Sequence, residues 1–291
     1  MKSIVVATDS HSGISPDMAK QMGIRVLPMP FYFGEECYYE EVSITRETFF
    51  ERLNAGEKVS TSQPSPEAVL NFWRKALQEY ENVLYIPMSS GLSGSCHTAM
   101  MLAQDEEFEG RVWVVDNGRI STPLQRAILD AQEMIAEGHS AEEIKSILEA
   151  EKDKMSIYIA VETLEFLKQG GRISATTAAI GTLLSIKPIL KLGTELLESY
   201  KNSRGMKKAK KEMLEALKED LETTFAEYYH NNEVYLLAAS SADAETTARW
   251  VEEIQAFFPG MEVLSGNLSL GISCHTGEGA LGVGCSCRPK R

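Results

Sequence analysis

The chain has 291 residues, 43% of them hydrophobic, and a formal net charge of −13. That length admits two domains or one large one, and the acidic balance argues against nucleic acid, whose phosphates call for clustered Lys and Arg. No stretch approaches the roughly 18 apolar residues of a membrane span, and the run Ile4 to Ala7 is too short for a signal peptide, so a soluble cytoplasmic protein is expected. The cysteines (Cys37, Cys96, Cys274, Cys285 and Cys287) are few and odd in number, which argues against a disulfide framework. Cys285-Ser286-Cys287 is spaced too tightly for a zinc knuckle and lacks a second ligand pair, and no metal is expected.

In chain order, the first half alternates strand and helix. Ile4 to Ala7 reads as a strand. Ser15-Pro16-Asp17 starts a helix, with Ser as cap and Pro at the first position, and Gly23 ends it. Arg25 to Pro28 and Phe31 to Phe33 read as extended. Thr45 caps a helix to Asn54, and Ser65-Pro66-Glu67 starts another that runs to about Tyr80. A strand at Val83 to Ile86 precedes a helix from Gly94 to Gln104. A strand at Val112 to Val115 precedes a helix from Pro123 to Glu137. This alternation predicts a parallel sheet covered on both faces, a three-layer α/β/α domain over residues 1–154. Ser140 with Glu143 forms a capping-box pattern for a connecting helix to Lys152.

The pattern then changes. Strands are predicted at Ile157 to Val161, Val234 to Ala239, Met261 to Ser265 and Gly282 to Ser286. A hairpin is predicted from Pro188 to Leu192 and Glu195 to Tyr200. A short helix ends at Gly170-Gly171, a long charged helix spans Gly205 to Tyr229, and another spans Asp243 to Phe257. A two-layer α/β domain with a mixed sheet over residues 155–291 is the expectation. The basic run Arg204 to Lys211 falls on the long helix and reads as a solvated face.

Chemistry concentrates in two hydroxyl-rich loops, Ser60-Thr61-Ser62-Gln63-Pro64-Ser65-Pro66 and Ser89-Ser90-Gly91-Leu92-Ser93-Gly94-Ser95. Each lies at the mouth of a helix, where backbone N–H groups and the dipole favour an anion. Asp9-Ser10, Ser89 to Ser95 and Asp116-Asn117 each follow a strand, so a parallel sheet should gather them at one edge. Thr61, Ser62, Ser93 and Gly94 are the candidate anion ligands. A serine esterase using Ser93 is the alternative, because Ser93, Asp116 and His275 occur in the chain order of α/β-hydrolases. The Gly-x-Ser-x-Gly pattern fails, however, since Ser95 stands at its last position. Beyond residue 155, Arg172 follows Gly170-Gly171, and a guanidinium there suits a carboxylate or phosphate. His275 lies in what reads as a glycine loop, Ser273 to Leu281, ahead of a strand.

Taken together, these segments resemble the DegV family of bacterial lipid-binding proteins over essentially the whole chain. The resemblance rests on Thr8-Asp9-Ser10, Thr61-Ser62-Gln63-Pro64-Ser65-Pro66, Ser89-Ser90-Gly91-Leu92-Ser93-Gly94 and Leu167-Lys168-Gln169-Gly170-Gly171-Arg172-Ile173-Ser174. It continues through Ile186-Lys187-Pro188-Ile189-Leu190 and His275-Thr276-Gly277-Glu278-Gly279-Ala280. It implies a two-domain α/β carrier that encloses one long-chain fatty acid, without cofactor or catalysis of its own. It also implies that Thr61 and Ser93 hold the carboxylate, with Arg172 and His275 near the head group. A separate ATP-dependent kinase related to dihydroxyacetone kinases is the implied partner. It would make an acyl phosphate for phospholipid metabolism, and Arg204 would belong to the kinase-facing surface. Asn117 and Glu278 depart from the family's usual residues, and a carboxylate beside His275 disfavours a bound anion. A carrier of another amphipathic acid is therefore a further alternative.

Overall fold

The computed structural model describes residues 2–179, 186–193 and 196–291. Glu195, where the second arm of the expected hairpin starts, lies outside the described residues. The chain divides into two compact units, Met1–Asp153 with Pro289–Arg291, and Lys154–Arg288.

The first unit runs β1 (Lys2–Asp9), α1 (Pro16–Met22), β2 (Arg25–Leu27), β3 (Phe31–Phe33), β4 (Glu36–Tyr38), α2 (Arg46–Asn54) and β5 (Val59–Thr61). It continues with α3 (Pro66–Leu77), β6 (Tyr80–Ile86), α4 (Ser95–Leu102), β7 (Val112–Val114), α5 (Ser121–Glu137) and α6 (Ala141–Ala150). A sheet in the order β2-β1-β6-β7 is parallel throughout. Its strands alternate faces. Val5, Ala7, Val83, Tyr85, Val112 and Val114 pack against Trp73 and Ala76 of α3 and Cys96 and Ala99 of α4. Val6, Leu84 and Ile86 are equally buried, on the side where α5 packs on β1 and α6 on β6 and β7. Removing each of these aliphatic side chains from water is worth about 1.5–3 kcal/mol.

A second, antiparallel sheet, β4-β3-β5, does not follow from the βα alternation. Phe31 and Phe33 of β3 hold the Phe49 ring of α2 at centroid distances of 5.3 and 5.5 Å. Pairing Phe31 with Thr61 then makes Thr61 the last residue of a strand rather than part of a loop.

The second unit runs β8 (Met155–Ala160), α7 (Glu165–Gly170), α8 (Ala175–Ala178), β9 (Ile186–Leu192), β10 (Leu197–Arg204), α9 (Met206–Glu222) and α10 (Ala226–His230). It closes with β11 (Val234–Ser240), α11 (Ala244–Phe257), β12 (Val263–Asn267), α12 (Leu270–Thr276) and β13 (Leu281–Cys287). The sheet order is β10-β9-β8-β13-β11-β12, and among the strand pairs of the described residues β11 with β12 is the parallel one. Met213 and Leu217 of α9 and Trp250 and Ile254 of α11 cover one face, against Tyr158, Leu236, Val283 and Cys285. The Asp220 carboxylate at the end of α9 accepts hydrogen bonds from Ser156, from Tyr158 (2.7 Å) and from Lys191 (3.0 Å). Burial, reinforced by that carboxylate, pushes the Tyr158 hydroxyl far above its ordinary pKa, and the cluster fastens α9 to the sheet.

Two expected elements differ. The charged helix from Gly205 to Tyr229 breaks into α9 and α10. At the break Thr223 donates back to the Glu219 carbonyl at 2.6 Å, and its φ of −118° and ψ of −77° depart from regular helical values, to which a β-branched residue that bonds its own helix is prone. Ser273 to Thr276, read as loop, belongs to α12. That helix is opened by the Ser269 cap and buried along most of its length.

Candidate functional site

Parallel pairing sets Thr8 beside Ile86 and Tyr85 beside Val114, so the carboxyl ends of β1, β6 and β7 share one edge. Side chains then tie the loops that leave them. Asp9, fully buried, accepts from the His11 N–H at 2.9 Å and from the Met88 N–H at 2.8 Å. Asp116 accepts from the Ser90 hydroxyl and from Lys152, each at 2.7 Å. The Ser89 N–H donates to the Arg119 carbonyl at 2.8 Å.

Gln63 joins the other hydroxyl loop to this edge. Its Oε1 accepts from Thr98 of α4 at 3.1 Å and lies 3.5 Å from where a β-carbon on Gly94 would sit. Gln63, two residues after Thr61, thereby joins its loop to Gly94 and the first turns of α4. A glutamine without helical or strand periodicity carries no signal of such a bridge. Ser93, half-buried, donates to the Ser95 hydroxyl at 3.0 Å and accepts from the Ser95 N–H at 3.2 Å. It thus meets the first N–H of α4, whose N-cap residue, Gly94, has no side chain to accept a hydrogen bond. Ser62, exposed, donates to the Gln63 carbonyl at 3.1 Å.

These contacts leave the esterase arrangement without support in this unit. Asp116 is bonded to Ser90 and Lys152, not to Ser93. Among the described residues the non-glycine left-handed positions are Glu41, Ser121 and Asn232, so Ser93 lacks the strained backbone of a nucleophile elbow. Cys96, next to this loop, is buried, and its thiol is pushed up to about 12 by burial and then by Asp116. It is a packing residue, unreactive at neutral pH. The segment that departs from the family pattern is interior: Asn117 and Arg119 are both fully buried, and Asn117 accepts from the Arg119 N–H at 3.2 Å.

In the second unit Arg172 and His275 meet at one residue. The Arg172 guanidinium donates to the Gly170 carbonyl, and the His275 imidazole lies against the Gly170 α-carbon. The following loop is pinned by Ser241, which donates to the Gly277 carbonyl at 2.7 Å and accepts from the Ala280 N–H at 2.9 Å. Glu278 is an exposed residue of it. Arg204 is not on a helix: it is the exposed last residue of β10, and Gly205, with φ 83, separates it from α9.

The family model described as "Uncharacterised protein, DegV family" matches residues 3–287. The chain belongs to the DegV family. "Protein DegV" of Bacillus subtilis is 32% identical over 291 residues, which covers 98% of this chain and 99% of the relative. The solved structure described as "Fatty Acid Binding of a DegV family Protein from Thermus thermophilus" is 34% identical. It covers 98% of this chain and 99% of its own with a TM-score of 0.86. That of "DegV, a fatty acid binding protein from Bacillus subtilis" is 30% identical, covers 99% and 100%, and has a TM-score of 0.82. The two-unit α/β architecture is thus that of DegV proteins. No helix among the described residues is long and apolar enough to cross a membrane.

The loop edge carries a pH signature. Burial raises the Asp116 carboxyl, but the Lys152 ammonium and the Ser90 donors outweigh it and hold the carboxyl below its ordinary value. A depressed folded-state value contributes stability that is present above about pH 4, the unfolded carboxyl's range, and is lost as pH falls through the folded value. Lys152→Met should therefore cost about 0.5–1 kcal/mol near neutrality, and the gap to the unmutated protein should close toward pH 3. Urea unfolding across that range checks it; a gap that stays constant with pH would exclude the pairing as its source.

Proposed function

We propose that this DegV protein binds one long-chain fatty acid in a buried apolar tunnel, with the carboxylate held by Thr61 and Ser93. The observation that carries the reading is the likeness, over nearly the whole chain, to the Thermus thermophilus and Bacillus subtilis proteins described as fatty-acid-binding. The local geometry supports it. Gln63 draws the Thr61 and Ser93 loops together, and hydroxyls with backbone N–H groups at the mouth of α4 suit a carboxylate without a metal. Burying the alkyl chain is worth about 0.8 kcal/mol per methylene, while a buried carboxylate must be met by donors. Ser62 and Gly94 complete this cradle, and Arg172 and His275 are carried over as further head-group residues from the family resemblance.

The protein is then a carrier without catalysis of its own. It presents the acid, in the cytoplasm, to a separate ATP-dependent kinase related to dihydroxyacetone kinases, which forms an acyl phosphate for phospholipid synthesis. Arg204 is the proposed contact with that partner. Most neighbouring cations are engaged: Lys201 and Lys208 with Glu212, Lys210 with Glu253, Lys211 with Glu215. Among the described residues Arg204 and Lys207 form no ion pair and remain available to an acidic surface.

Solvent extraction and mass spectrometry of the purified protein should release a fatty acid near one per chain. A different amphipathic acid, or an apo protein that takes up neither palmitate nor oleate, would reject the assignment. Thr61→Ala and Ser93→Ala should each weaken oleate binding by about 1–3 kcal/mol; unchanged affinity in the double variant would leave both as structural residues only. Arg204→Ala should spare oleate affinity and slow acyl phosphate formation by the kinase, and an equal loss in both assays would contradict a docking role.

A further inference from the structure

Gly170 and Gly171 stand side by side at the end of α7, and they need glycine for different reasons. Gly171 has φ 68 with nothing within 4 Å of the position a β-carbon would take. Its requirement is conformational: it is the left-handed cap of α7. Gly170 is the last helical residue and is not among the residues with positive φ, so any residue could adopt its backbone. What excludes a side chain is His275. A β-carbon on Gly170 would lie 2.6 Å from Cε1 and 3.2 Å from Cγ of the imidazole, and closer still to Nδ1. The two helices, α7 and α12, are close at this end. Gly277, which ends α12, is packed so near α7 that a β-carbon there would come within 2.8 Å of the Phe166 ring. The same Gly170 receives the Arg172 guanidinium on its carbonyl oxygen.

We propose that Gly170 is a positioning residue for the head-group end of the ligand site: its absent side chain is the seat of the His275 imidazole, and its carbonyl holds Arg172. This rests on the assignment of His275 and Arg172 to the head group. A methyl at position 170 would turn the imidazole out of its seat while leaving the α7 backbone and the Arg172 contact in place.

The test pairs oleate affinity with a readout that needs no lipid. In Gly170→Ala, oleate affinity should fall by about the same factor as in His275→Ala, about 5- to 100-fold for one lost hydrogen bond. The double variant should match His275→Ala within about twofold, because the methyl then has room. In lipid-free protein with labelled histidine, the His275 ring resonances, assigned by their loss in His275→Ala, should move in Gly170→Ala. Unmoved resonances overturn the proposal, as does a double variant that loses the product of the two single factors. If His275→Ala binds oleate normally while the resonances move, the head-group assignment falls and the seat stands. Should Gly170→Ala fail to fold, rescue of folding in the double variant supports the seat, and failure of both overturns it.

Discussion

A carboxylate with no exposure to water has to be met by donors, and Asp9 is such a carboxylate. It ends β1, and the donors it finds are the N–H groups of His11, in its own loop, and Met88, in the loop after β6. Two connections that share only a sheet edge are thereby fixed to one another. Asp116 repeats the device one strand further along, through Ser90 and Lys152. The hydroxyls of the second loop thus stand on an edge whose backbone has little freedom to relax. A site built from neutral hydroxyls and N–H groups depends on such fixing. Each hydrogen bond is modest, and donors already held in place avoid a further ordering cost in the anion binding proposed above.

The small antiparallel sheet supplies the other half of that rigidity. Thr61 is carried on a three-residue strand whose neighbour, Phe31, is locked against Phe49. Ser62 and Gln63 then leave from a strand end, and Gln63 reaches Thr98 on α4. In the second unit the same end is reached by different means. There Gly170 admits an imidazole by having no side chain, and Ser241 pins the following loop through both of its hydrogen-bonding roles.

Much of this was legible before any coordinates. The parallel sheet follows from short runs of Val and Ile separated by capped helices, and the caps at Ser15, Thr45, Ser65 and Ser140 all form as their residue types require. What was not legible is non-local or tertiary. Val59-Ser60-Thr61 is too short to show a period, and it becomes a strand only because Phe31–Phe33 pairs with it. The stretch Leu270–Thr276 contains Gly, two β-branched residues and Ser, all weak helix formers; burial and the Ser269 cap decide its state. Arg119 offers no hint of being fully buried, since charged residues almost never are. Arg204 shares a basic run with α9 yet ends a strand, because the backbone at Gly205 separates the two. At the two hydroxyl-rich loops, residue types and order were readable, whereas the bridge through Gln63 was not.

The position of β13 has a consequence for how the second unit is made. This strand follows every other strand in the chain, yet it sits inside the sheet, paired on one side with β8 and on the other with β11. Until it is inserted, β10-β9-β8 and β11-β12 are separate pieces with open edges. Each such edge is a row of unpaired N–H and C=O groups that invites pairing with another molecule. During synthesis the unit cannot close its sheet stepwise. It must wait for Leu281–Cys287 to leave the ribosome and then zip two edges at once, a late, long-range step of the kind that folds slowly.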